Sequence, residues 1–266
     1  LVEESTDVMT NRFAPIDRIA VLSVHTSPLA SLGGDKTGGM NVYIRDMSRE
    51  LARRGIQVDI FTRRQSPDEP KVQLDQVEGV RVIHINAGPS HSISVNDVPL
   101  YLIEFADNVI RFGESQALHY DLIHAHYWLS GLVAEQLRTV WNVPFVQMFH
   151  TLGQLKNQIA RNERERSPQQ RLEGELQVVQ SANALIAATP AEKDQLIELY
   201  HADSSKISVI PPGVDLSRFQ PINHNLARDF LALPRQLRQI LFTGRIEALK
   251  GIDVLLQAVA LIGRQQ

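Results

Sequence analysis

Short apolar runs alternate along the chain with stretches whose apolar residues recur at helical spacing. Arg18–Val24 (RIAVLSV) is the first run, rich in β-branched residues, as expected of a strand buried on both faces. Runs of the same kind follow at Ile56–Thr62, Val80–Ile85, Asp121–Ala125, Val143–Phe149, Ala184–Ala188 and Lys206–Ile210. Between them, Met40, Ile44, Met47 and Leu51 mark a helix that Gly55 closes. Helices are also predicted over Asp97–Leu118, Trp128–Val140 and Ala191–Tyr200, with a further one ending at Ala182. Arg63–Glu78 and Gln154–Pro168 read as polar loops. Strands alternating with helices at these lengths predict an α/β fold with a doubly wound parallel sheet.

The pattern also divides the chain. Residues 1–17 read as a flexible lead and 18–210 as a Rossmann-like domain. Pro211-Pro212-Gly213 opens a polar linker to residue 238, and Gln239–Thr243 (QILFT) reads as the first strand of a second α/β unit, with a helix from about Gly251. The 28 positions from 239 to 266 are too few to close a core, so the second unit reads as incomplete and the chain as a fragment.

Composition narrows the function classes. A formal charge of −3 over 266 residues gives no basic footprint for nucleic acid. There is no cysteine, which excludes disulfides, thiolate metal sites and cysteine nucleophiles and fits a cytoplasmic setting. No apolar run approaches the ~18 residues of a membrane span, and the first fifteen residues do not read as a secretion signal. Arg161–Arg166 is interleaved with Glu163 and Glu165, which weakens attraction to anionic lipid, so peripheral membrane contact is not indicated. Nothing in the sequence addresses oligomeric state.

The candidate chemistry sits where open α/β sheets bind ligands, after the carboxyl ends of the strands. After the first strand, Gly33-Gly34 and Gly38-Gly39 flank Lys36 and run into a helix, a combination that suits a phosphate. A plain strand-to-helix turn is the alternative. The spacing is neither the dinucleotide pattern nor a P-loop. His124 and His126 share one face of a strand. A metal there would need further ligands that the neighbourhood does not supply, which leaves a core or ligand-lining role. His150-Thr151, followed by Lys156, is placed to hydrogen-bond a hydroxylated ligand. Arg245 and Lys250, five apart beside a helix start, can grip a diphosphate without a metal.

These residues carry a resemblance. The segments HTSPL (25–29), GGMNVY (38–43), HAHYWLSG (124–131), FHTL (149–152), IPPGVD (210–215) and GRIEALKG (244–251) resemble the retaining glycosyltransferases of family 4. That family has the GT-B fold, two Rossmann-like domains facing across a cleft. The likeness runs from about Arg18 onward and is nearest the inositol phosphate glycosyltransferases of mycothiol synthesis and the sucrose and sucrose-phosphate synthases. It implies metal-independent transfer of a sugar from a nucleoside diphosphate sugar, a UDP-sugar such as UDP-glucose, to a hydroxyl of a small polyol or sugar, with the departing phosphate taking the acceptor proton. No cofactor beyond that co-substrate is implied.

By the same resemblance His150 would touch the donor sugar, and Arg245 and Lys250 would neutralise the departing diphosphate. Gly38 and Gly39 would line the diphosphate, as would Lys36, whose Lys-Thr-Gly-Gly loop is similar to that of glycogen and starch synthases. Asn41 would line the acceptor side. Tyr127, Thr151 and Arg171 match positions that hold an acceptor phosphate, with Lys156 also available. Val95 stands where those enzymes carry a phosphate-binding lysine, which argues against a phosphorylated acceptor. The two glutamates, eight apart, that hold the donor in the family have no counterpart in 252–266, so residues 1–266 alone are expected to be inactive. The rival readings are a sucrose or sucrose-phosphate synthase, a non-catalytic sugar-binding GT-B module and a nucleotide-sugar epimerase.

Overall fold

A computed structural model describes residues 15–30, 38–244, 246 and 250–263. Among these the strands are β1 (Arg18–Leu22), β2 (Gln57–Arg63), β3 (Val72–Leu74), β4 (Val80–Ile85), β5 (Leu122–His126), β6 (Phe145–Met148), β7 (Ala184–Ala187) and β8 (Ile207–Val209). They form one sheet in the order β3-β4-β2-β1-β5-β6-β7-β8. Every pairing is parallel except β3 with β4. Parallel neighbours require crossovers. These include the helices α1 (Gly39–Arg53), α2 (Leu102–Ser115), α3 (Trp128–Trp141), α4 (Gly153–Ile159), α5 (Gln169–Ser181) and α6 (Pro190–Tyr200).

The period of a strand decides which residues meet which layer. In β1, Ile19 and Val21 join Ile44 of α1 and Val58, Ile60, Val80 and Val82 in one cluster. Ala20 and Leu22 point the other way, into a larger cluster with Phe105 and Val109 of α2 and Leu129 and Val133 of α3. Apolar residues on both faces of β1 are what its continuous run implied. Where α5 crosses α3 the approach is close: a Cβ on Gly174 would lie 2.6 Å from Cε3 of Trp128. Only glycine lets that helix pair meet.

The amino end of the sheet is pinned by charge. Asp59, 1% exposed, accepts from Arg81 Nε at 2.6 Å and Nη2 at 2.7 Å, from Arg18 Nη1 at 3.1 Å and from the Tyr120 hydroxyl at 2.8 Å. Burial and the neighbouring carboxylate push the Tyr120 phenol well above its ordinary range.

Several expectations are corrected. The polar stretch 63–78 contains β3, a three-residue edge strand with Leu74 73% exposed, too short and too polar to show a period. The stretch 154–168 opens with α4. The helix over 97–118 is a 3₁₀ turn at Val98–Tyr101, with Pro99 near its start, followed by α2. The stretch 211–238 includes α7 (His224–Phe230). The strand expected at Gln239–Thr243 does not form. Among the described residues no second ladder exists for its backbone groups to pair with, and a lone extended segment has nothing to hold it. The last helix, α8 (Ile252–Gly263), buries no residue, and its Asp253 reaches Arg161 at 2.6 Å.

Candidate functional site

The strand order reverses direction at β1, which lies between β2 and β5, so the crevice of the sheet opens beyond the carboxyl ends of β1 and β5. Residues that follow β1, β5 and β6 converge there. The turn after β1 is tied down internally: Ser23 Oγ donates to the Thr26 carbonyl at 2.6 Å, and Ser130 Oγ accepts from Val24 N–H at 3.1 Å. Asn41, 2% exposed, fastens the start of α1 to that turn. Its Nδ2 donates to Thr26 Oγ1 at 2.8 Å and to the Ser27 carbonyl at 2.7 Å, while its Oδ1 accepts from Gly38 N–H at 3.1 Å. Its amide is spent within the fold, and among the described residues a Cβ on Gly38 or Gly39 would meet nothing within 4 Å. Lys36, Gly33, Gly34 and Arg245 lie outside the described residues. Lys250 is exposed beside Gly251.

At the ends of β5 and β6 the backbone is strained. Tyr127 has φ 71° and ψ 157°, and His150 has φ 63°. Non-glycine residues in such conformations cost about 1–3 kcal/mol each and persist only where surrounding bonds impose them. Here Tyr127 N–H donates to the Met148 carbonyl at 2.9 Å, and buried Gln147 donates from Nε2 to the Tyr127 carbonyl at 3.2 Å. The strain turns both side chains into one group of rings. His126 Nδ1 lies 3.0 Å from His150 Nε2; His124 and His126 have centroids 4.2 Å apart; Tyr43 meets His150 edge-on at 5.4 Å; and His25 lies 4.5 Å from Tyr127. Burial lowers His124 to about 4 and His150 to about 3, and holds His126 well below its ordinary value, with the neighbouring imidazoles adding to it for the last two. At neutral pH His124, His126 and His150 are uncharged.

Beside it stands a cation. Arg171, 7% exposed, donates from Nη2 to the Thr151 carbonyl at 3.0 Å and to Thr151 Oγ1 at 3.1 Å, and its guanidinium lies 5.0 Å from the centre of the Tyr127 ring. Three residues from positions 127, 151 and 171 are thus brought together. Glu175, fully buried, holds the arginine: Arg171 Nε donates to its Oε1 at 2.7 Å. Glu175 also accepts from Gly153 N–H at 2.9 and 3.1 Å and from the Tyr200 hydroxyl. A Cβ on Gly153 would sit 2.9 Å from Glu175 Oε2 and 3.1 Å from Arg171 Nε, so the carboxylate can approach this backbone only because the residue is glycine. Sequence reasoning did not single out Glu175. Its one signal, spacing i+4 from Arg171, is that of an ordinary surface pair. Lys156 is exposed on α4, and among the described residues neither it nor Lys250 shares a hydrogen bond or ion pair with the Tyr127–Thr151–Arg171 group.

Val95 packs half-buried against the larger apolar cluster. The loop leading to it is clamped by Arg63, 2% exposed, which donates to the carbonyls of Pro89 and His91 at 2.7 Å each. Among the described residues no group of three or more His, Asp or Glu could hold a metal ion, and no helix is long and apolar enough to cross a membrane.

Comparison with known proteins agrees with this architecture. The profile of Glycosyltransferase Family 4 matches residues 37–218. The D-inositol 3-phosphate glycosyltransferase of Kineococcus radiotolerans is 43% identical over 257 residues, 96% of this chain and 59% of that protein. D-inositol 3-phosphate glycosyltransferase 2 of Catenulispora acidiphila is 46% identical over 253 residues, 93% of this chain and 58% of that protein. The chain therefore spans somewhat under two thirds of the length of these relatives. Among solved structures, sucrose-phosphate synthase from Thermosynechococcus elongatus superposes with a TM-score of 0.83 at 33% identity, over 92% of this chain and 60% of that one. The catalytic domain of starch synthase IV from Arabidopsis thaliana shares the fold, with a TM-score of 0.60 at 14% identity over 92% of this chain and 66% of that one. These are GT-B glycosyltransferases, and the sheet, its crevice and the matched segments together establish that this chain belongs to Glycosyltransferase Family 4.

Proposed function

We propose that this chain supplies the acceptor side of a retaining glycosyltransferase that moves a sugar from a nucleoside diphosphate sugar, a UDP-sugar, to a hydroxyl of a small polyol or sugar. The convergence of Tyr127, Thr151 and Arg171 beside an uncharged histidine group carries the reading. A hydroxylated acceptor needs donors and acceptors fixed at hydrogen-bond distance, and the Thr151 hydroxyl and Arg171 guanidinium are both held in place before any ligand arrives. His150, neutral, would bond a hydroxyl of the donor sugar without placing charge next to the carbon that becomes electron-poor. Gly38 and Gly39, whose added Cβ atoms would meet no described residue within 4 Å, and the amino end of α1 would receive the diphosphate, with Lys36, Arg245 and Lys250 as its counter-charges. No side-chain nucleophile is required: the departing diphosphate takes the acceptor proton, so metal-independent chemistry suffices. The cysteine-free composition fits a cytoplasmic setting.

The test is nucleotide release from UDP-glucose by the complete gene product, with inositol, inositol phosphate, fructose and fructose 6-phosphate offered in turn. Acceptor-dependent release with the product's anomeric configuration retained is expected. Release that needs no acceptor, or an inverted product, would overturn the reading. A second reading, a sucrose or sucrose-phosphate synthase, is favoured by the 0.83 TM-score to the Thermosynechococcus enzyme. Release on fructose or its phosphate, and not on either inositol, would select it.

A further inference from the structure

We infer that His126 is a positioning residue that sets the tautomer of His150: it donates from Nδ1–H to His150 Nε2 and thereby leaves His150 with its proton on Nδ1. The two nitrogens are 3.0 Å apart, and His126 is fully buried at the end of β5. Both rings are uncharged at neutral pH, so one proton lies between the two nitrogens, one side donating and the other accepting. The tautomers of the two residues are therefore locked against each other, and only the direction remains to be decided.

The other nitrogen of His126 decides it. Nε2 is buried with no hydrogen-bond partner, as is Nε2 of His124, whose ring is tilted by 44° with its centroid 4.2 Å away. If His126 accepted at Nδ1, its proton would sit on Nε2 as an orphaned N–H in the apolar interior. If it donates from Nδ1, Nε2 keeps only an unpaired lone pair. Buried N–H groups without acceptors are the rarer of the two deficits. His150 Nε2 is then the acceptor and its Nδ1–H the donor, which has no protein acceptor among the described residues and is available to a ligand oxygen. The strained backbone at His150, φ 63°, and the edge-on ring of Tyr43 restrict the imidazole to the orientation in which this bond is made. The assignment makes His150 a fixed donor, suited to a sugar hydroxyl or ether oxygen. It builds on the proposal that His150 faces the donor sugar.

The inference is tested by two-bond nitrogen–proton spectra of the complete gene product labelled with ¹⁵N-histidine, which read the protonated nitrogen of each ring directly. His150 is expected to be protonated on Nδ1 and His126 likewise. In His126→Asn, whose amide can donate from nearly the place of Nδ1, His150 keeps that form. In His126→Phe it changes to the Nε2–H form, which free imidazole side chains favour. A wild-type His150 protonated on Nε2, or one indifferent to His126→Phe, overturns the assignment, and the wild-type spectrum decides even if the Phe variant fails to fold. Turnover of UDP-glucose separates the two levels. His126→Phe is expected to lower kcat by a factor on the order of ten or more, with His126→Asn close to wild type. Tautomers as assigned with turnover unmoved in His126→Phe would uphold the role of His126 and overturn the placement of His150 at the donor sugar.

Discussion

Arg171 Nε lies 2.7 Å from Glu175 Oε1, and this pair, one turn apart on α5 and almost wholly out of water, aims the guanidinium Nη2 at Thr151. A buried ion pair contributes little net stability, yet removing one partner strands the other. Arg171→Ala is therefore expected to cost about 3–5 kcal/mol in urea unfolding, far more than an exposed i,i+4 pair. A loss below about 1 kcal/mol would show that the pair is solvated in solution.

Stability should fall on mild acidification. His124 titrates near 4 and His150 near 3 in the folded chain, and His126 well below 6.5; in the unfolded chain each titrates near 6.5. As pH falls through 6.5 the unfolded chain takes up protons that the folded chain refuses, so the stabilisation is complete above 6.5 and declines below it. Urea midpoints between pH 7 and 5, above the carboxylate range, should decrease steadily, and His124→Gln should flatten the slope. A midpoint constant over that interval would contradict the burial of these rings.

Gly174→Ala tests the α3–α5 crossing. The new methyl would lie 2.6 Å from the Trp128 ring, and overpacking of this kind costs about 1–3 kcal/mol. The melting temperature should drop. Gly213→Ala, where a Cβ meets nothing within 4 Å, serves as the control and should leave it unchanged.

Val95→Lys tests the charge of the proposed acceptor pocket. Val95 is half-buried at its packing edge, so a lysine stem can lie along the same apolar surface with its ammonium in solvent. Release of nucleotide with a phosphorylated acceptor should rise while that with a neutral polyol changes little. No gain with any phosphorylated acceptor would mean that position 95 does not face the acceptor.

The sheet was legible because strands buried on both faces show as short runs in which apolar residues fill both faces; β1 is the clearest case, while Asp59 in β2 and His124 in β5 interrupt theirs. β3 was not, since an edge strand with Leu74 in solvent carries no pattern above that of a loop. Gln239–Thr243 shows the opposite failure: its composition suits a strand, but composition cannot report whether a neighbour exists to pair with. The site divides in the same way. Histidines at strand ends are visible as candidates because their places follow from the topology. That positions 127, 151 and 171 meet came from the resemblance, since no local spacing encodes it. Glu175 stayed hidden because an Arg–Glu pair on a helix looks alike whether it faces water or the core. The tautomer of His150 depends on a through-space bond to His126, twenty-four positions away.

The order of elements along the chain has a practical consequence. The rings and charges that the fold brings together, from His25 to Tyr200, precede the end of β8 at Val209, and an exposed Pro-Pro-Gly stretch follows after Ile210, ahead of the proposed counter-charges Arg245 and Lys250. A crossover made within 211–213 would carry those rings and charges into a chimera intact. Joining residues up to this point to the remaining length of a relative is thus a direct way to test whether the proposed acceptor and donor preferences separate between the two portions.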